Sequence, residues 1–122
     1  MTEATLKSAL VRQLKLIPYS LVLRHEDKIT SGIPDISFTR GGRTTWWECK
    51  FANPSFKSKG IQDLTMKKLG RFGSAFYIIW TSTEVFITDP EDIDHYRNSF
   101  LFSGIDHRHL AGAMRETHDN YK

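Results

Sequence analysis

The sequence predicts an α/β domain, a mixed β-sheet with flanking helices whose elements run helix, three antiparallel strands, helix, strand. Three observations carry this. Gly41-Gly42 lies between two runs rich in β-branched and aromatic residues, the pattern of a tight two-residue hairpin turn. Apolar residues recur with helical period before that hairpin (Leu6, Leu10, Leu14, Ile17) and after it (Ile61, Leu64, Leu69). Residues 75–80 form a continuous apolar run of strand-forming residues, which suits a strand buried on both faces.

Taken in order, Thr2 or Thr5 can cap the first helix, and Pro18 ends it by pushing the preceding residue out of helical geometry. Residues 19–24 read as the first strand and residues 25–32 as a polar loop; the hairpin then supplies strands two and three. A loop over residues 53–60, basic at its far end, leads to a helix over 61–71 with Gly70 or Gly73 as its stop. The passage from strand three through that helix to residues 75–80 is a crossover, expected to be right-handed. A shorter strand follows over 85–88. Asp89 and Pro90 then open a short helix to about Arg97, and a last helix covers 106–117. Residues 1–122 read as one domain, with a core at about 3–80 and additions over 81–122.

Seventeen Lys and Arg against fourteen Asp and Glu give a net charge of +3, which permits a polyanionic partner without demanding one. The single cysteine, Cys49, excludes an internal disulfide and a cysteine-built zinc site. No apolar run is long enough to span a bilayer and no signal peptide is visible, so the expectation is a soluble intracellular protein without a membrane partner.

The hairpin concentrates the chemistry. With the two glycines as the turn, Arg40 faces Arg43, and counting back along both strands Asp35 faces Glu48. Facing carboxylates repel unless something neutralises them. Lys50 projects from the same side as Glu48, because strand side chains alternate. Two acids and an ammonium at one sheet edge suggest a metal site; a surface ion-pair cluster is the alternative. Ser37, Thr39, Thr44 and Trp46 share that face, while Ile36, Phe38, Trp47, Cys49 and Phe51 fall on the opposite face and read as core. Glu3 lies on the stripe of Leu10 and either reaches over the sheet or complements the helix dipole. His25 either lines the site or is a polar surface residue, and His107 and His109 would diverge on a helix.

Pro34-Asp35 and Glu48-Cys49-Lys50, on the second and third strands of an α-β-β-β-α-β order, resemble the PD-(D/E)XK nuclease superfamily. Gly32, Pro34 and Asp35 together are similar to the motif start in small virus-type replication-repair nucleases and archaeal Holliday-junction resolvases. Gln62 is similar to a glutamine often found in the virus-type group, and Glu3 to the acidic residue many members carry on their first helix. The resemblance spans about residues 3–80, and Cys49 stands where an apolar residue is usual.

That resemblance implies a restriction-endonuclease-like fold and a Mg²⁺- or Mn²⁺-dependent DNA endonuclease. Asp35, Glu48, the Cys49 backbone carbonyl and Glu3 would hold metal. Lys50 would orient the attacking water, and Gln62 would orient Lys50 or a phosphate. Lys57, Lys59, Lys67, Lys68 and Arg71 could track a nucleic-acid backbone, or simply form a solvated helix face, and Trp46 could stack on an unpaired base or cover one end of the first helix. Without a sequence-reading domain, branched or Holliday-junction DNA is the expected substrate. Paired cuts then imply a homodimer, with residues 100–102 and the last helix as candidate interface. The expected setting is cytoplasmic or nucleoid-associated, a virus-encoded protein included. Alternatives are an exonuclease or nicking nuclease of the same fold, or a non-catalytic nucleic-acid-binding module.

Overall fold

The computed structural model of the chain describes residues 3–25, 33–52, 61–81, 83–104 and 106–120. Helix α1 (Glu3–Leu14) is followed by β1 (Ser20–Arg24), β2 (Ile36–Arg40), β3 (Arg43–Phe51), α2 (Ile61–Arg71), β4 (Ala75–Trp80) and β5 (Glu84–Thr88). A run of 3₁₀ turns (Pro90–Ser99), strand β6 (Phe100–Ser103) and helix α3 (His107–Asn120) complete it. The six strands lie side by side in chain order. All neighbours are antiparallel except β3 and β4, the parallel pair that α2 connects.

Two apolar layers sandwich the sheet. Leu6, Leu10 and Leu14 of α1 and Leu110, Ala111 and Met114 of α3 bury one face with Ile36, Phe38, Trp47 and Cys49. Met66 of α2, with Ile93 and Tyr96 of the 3₁₀ run, covers the other face over Tyr77, Ile79 and Phe86. The β4 side chains are buried throughout, as their continuous apolar run requires.

The turn is as the two glycines dictate. Gly41 and Gly42 have φ of 64° and 76°, the left-handed pair that a twisted two-residue hairpin needs. Arg40 pairs with Arg43 and Ile36 with Trp47, so the register is the expected one. Of the two candidate stops for α2, Gly73 (φ 67°) is the terminator. Gly70 instead lies against Pro90, whose Cγ would be 2.9 Å from an added Cβ.

Several expectations are corrected. The α-helix ends at Leu14, and Ile17 is reached by a tighter turn in which its N–H donates to the Leu14 carbonyl. β1 begins at Ser20, because Tyr19 adopts a left-handed φ of 57°. The short helix after Asp89 is a 3₁₀ run broken at Asp92 and His95. Residues 100–103, to which the sequence assigned no element, are an edge strand paired to β5. α3 runs on to Asn120, capped by the Asp106 carboxylate on the His109 N–H, and its apolar face is buried within the chain. Phe51, at the rim of β3, is 37% exposed rather than core, with its ring 5.7 Å from that of Trp80.

Candidate functional site

The site forms where β2 gives out before β3 does. β2 begins at Ile36, opposite Trp47, so Glu48 and the residues after it have a strand partner only on the β4 side. Asp35 fills the vacated edge. Its carboxylate Oδ2 accepts the Cys49 N–H at 2.9 Å, while Glu48 Oε1 accepts the Asp35 N–H at 3.0 Å. Each acid thus satisfies a backbone donor of the other strand's segment, and the two side chains are held on facing backbones.

The pair is crowded with charge. Glu48 is 1% exposed, beside Tyr77 of β4 in the ladder, and its carboxyl hydrogen-bonds that of Asp35. Burial first, then the Asp35 hydrogen bond and charge, push the Glu48 pKa up to about 8, against a smaller opposing pull from Lys50. Lys50 Nζ lies 3.3 Å from Glu48 Oε2. A second ammonium comes from α1, with Lys7 Nζ 3.1 Å from Asp35 Oδ1. All four carboxylate oxygens are therefore engaged: two with backbone amides, two with lysines.

Among the described residues, no group of three His, Cys, Asp or Glu side chains is set to hold a metal ion. Mg²⁺ commonly takes only one or two carboxylates, with water and substrate phosphate completing its shell. Two hard oxygen ligands held on facing backbones, where a cation would neutralise both, fit that demand. Trp46 and Ala52 direct their amides to the β4 side, whereas that of Cys49 faces Asp35. The Cys49 carbonyl shares that edge, because one residue's N–H and C=O point the same way in a strand. Its side chain is buried on the opposite face.

The chain is similar in structure to Archaeoglobus fulgidus Hjc, a Holliday junction resolvase from an archaeal hyperthermophile. The TM-score is 0.56, covering 90% of this chain and 98% of that one, at 15% sequence identity. The fold is restriction-endonuclease-like. No protein-family model and no curated protein matches the chain. In this fold the hairpin mouth holds Asp35, Glu48 and Lys50 together, as the register requires.

The remaining expected site residues are less gathered. Lys57 and Lys59 lie outside the described residues, as do the side chains of Glu3 and Gln62, although Glu3 opens α1 and Gln62 is the second residue of α2. Lys67, Lys68 and Arg71 are exposed on α2. Trp46 is on the site face but does not cover α1, which packs on the other side of the sheet. Its ring lies 5.2 Å from that of His25, whose Nε2 is 2.8 Å from Ser37 Oγ. His25 donates its backbone N–H to the Asp35 carbonyl, so it neighbours the acids directly. Lys7 was legible in principle: it is a charged residue on the α1 stripe that continues through Leu10 and Leu14.

No helix among the described residues is long and apolar enough to cross a membrane.

Proposed function

We propose that this protein is a metal-dependent DNA endonuclease that hydrolyses phosphodiester bonds in branched DNA, four-way junctions above all. The observation that carries this is the convergence of Asp35 and Glu48, with Lys50 Nζ 3.3 Å from Glu48, at the open end of the hairpin. The fold shared with a Holliday junction resolvase supports the choice of substrate. Asp35, Glu48 and the Cys49 carbonyl would hold Mg²⁺ or Mn²⁺, with Glu3 as a further acid. Bound there, the ion would supply charge neutralisation and a more acidic water.

The chain's own residues do the rest. Asp35 and Glu48 are fixed by the amides they accept, so the ligand geometry is built before substrate arrives. Lys50 is 29% exposed, anchored at Glu48 yet open to solvent, which suits it to orient an attacking water or steady charge on the phosphate. Gln62, at the start of α2, is proposed to orient Lys50 or a phosphate. Lys57, Lys59, Lys67, Lys68 and Arg71 are proposed to follow the phosphate backbone, and Trp46 to meet an unpaired base. A symmetric junction needs two cuts, so a second copy of the chain is the proposed partner.

The test is cleavage of a labelled four-way junction and a linear duplex in Mg²⁺, comparing wild type with Lys50→Ala. The expected result is cutting of the junction by wild type alone. Binding without cleavage in Mg²⁺ or Mn²⁺, unaltered by Asp35→Asn, would instead make the chain a non-catalytic binding module. Progressive loss from duplex ends would make it an exonuclease.

A further inference from the structure

We infer that Lys7 is a phosphate-binding residue of this site, paired with Asp35 in the metal-free protein and drawn toward the substrate when a divalent ion takes that carboxylate. The inference rests on the nuclease reading and extends it to a residue outside the expected set. Lys7 Nζ is 3.1 Å from Asp35 Oδ1, and the two side chains are only 18% and 17% exposed. This is not a loose surface pair, whose net worth would be close to nothing. α1 anchors it, because Leu6 and Leu10 on either side of Lys7 are buried in the core.

The two lysines divide the site between them. Lys7 holds Asp35 and Lys50 holds Glu48. Two ammoniums thus face two carboxyl groups. With a dication bound as well, the same groups would carry a surplus of two positive charges. A phosphodiester brings one negative charge, and further negative charge builds on its oxygens as the bond to the attacking water forms. Lys7 supplies the half of the surplus that Lys50 cannot. It also opposes the ion's arrival, since an ammonium on Asp35 Oδ1 repels a dication bound to the same carboxylate.

Both consequences are measurable in the full-length chain. Mn²⁺ affinity is read by calorimetry, and four-way-junction affinity by anisotropy in Ca²⁺, so neither needs turnover. Lys7→Met keeps the stem and removes the charge; it should bind Mn²⁺ about tenfold more tightly, about 1.4 kcal/mol, and bind the junction about tenfold more weakly. Lys7→Arg should stay near wild type in both. Lys7→Gln repeats the measurement should Lys7→Met fold poorly. Unchanged Mn²⁺ and junction affinities in the charge-removed variants, with or without a lower Tm, would reduce Lys7 to a helix anchor and overturn the inference. Weaker Mn²⁺ binding would overturn it too. Failure of wild type to cut any DNA would sink the nuclease reading alone, because the two binding measurements still decide the role of Lys7.

Discussion

The β2–β3 hairpin places like charges face to face at both of its ends, and the two ends resolve the conflict differently. At the turn, Arg40 faces Arg43. Arg43 donates to the His118 and Asp119 carbonyls at the C-terminus of α3, where the helix dipole is negative, and Arg40 donates to the Pro18 carbonyl and pairs with the Asp119 carboxylate. Just inside the turn, Trp47 Nε1–H donates to Thr45 Oγ1, which lies 2.7 Å from His118 Nδ1, while His118 Nε2 donates to the Arg40 carbonyl. Each polar group there has a fixed partner within the chain. At the open end, Asp35 faces Glu48, and each acid is answered by one lysine side chain, Lys7 on Asp35 and Lys50 on Glu48. Those partners are exchangeable. Repulsion answered by fixed groups makes a joint; repulsion answered by mobile ones makes a place for a ligand.

Breaking the open end should cost function rather than structure. Lys50→Ala should lower junction cleavage by ~10²–10³, about 2.7–4 kcal/mol of activation free energy, with an unchanged circular-dichroism spectrum. A comparable loss of fold would contradict the contrast.

The second expectation concerns pH. Glu48 has a pKa raised from 4.5 to about 8 in the folded protein, so between those values the native state holds a proton that the unfolded chain has released. Stability of the metal-free protein is therefore greatest below about pH 4.5 as far as this group goes, and it is lost as pH rises through about 8. The slope should not exceed about 1.4 kcal/mol per pH unit. Glu48→Gln should flatten that decline in urea titrations from pH 5 to 8, and a profile identical to wild type would mean that Glu48 is not the group behind it.

Breaking the turn end should do the reverse. Thr45→Val leaves the Trp47 N–H and His118 Nδ1 without their partner and should destabilise by about 1–3 kcal/mol, read as a lower urea midpoint, with cleavage unchanged. Arg43→Ala is the mildest, about 0.3–1 kcal/mol, because it removes only a partly exposed cation from a helix C-terminus. Loss of cleavage in either variant at a temperature where it stays folded would mean the two ends are coupled.

How much of this could be read beforehand follows the same division. The register and the meeting of Asp35, Glu48 and Lys50 were legible because two adjacent glycines leave a single pairing, and strand alternation then assigns every face. The stop of α2 was legible only as a choice between two glycines, since Gly70 is needed for a tertiary contact with Pro90 that no local pattern encodes. β6 was missed because four residues between turns carry no period to detect, and its pairing depends on β5 being there. Lys7 was passed over because helix α1 was read for its apolar stripe. A charged side chain on such a stripe signals a partner across the core, and that partner is visible only once the sheet is assembled. Phe51 shows the opposite error: alternation gives the face of a side chain, not whether the layer above extends that far.

Among the described residues, the strands stand in the sheet in the order in which they are synthesised, with no later strand wedged between earlier ones. A nascent chain can therefore grow its sheet outward from one border, each arriving segment docking on the rim left by the last. Every charged group drawn together at the hairpin mouth lies within the first fifty residues, so those groups leave the ribosome well before β4 arrives to shield Glu48 from water.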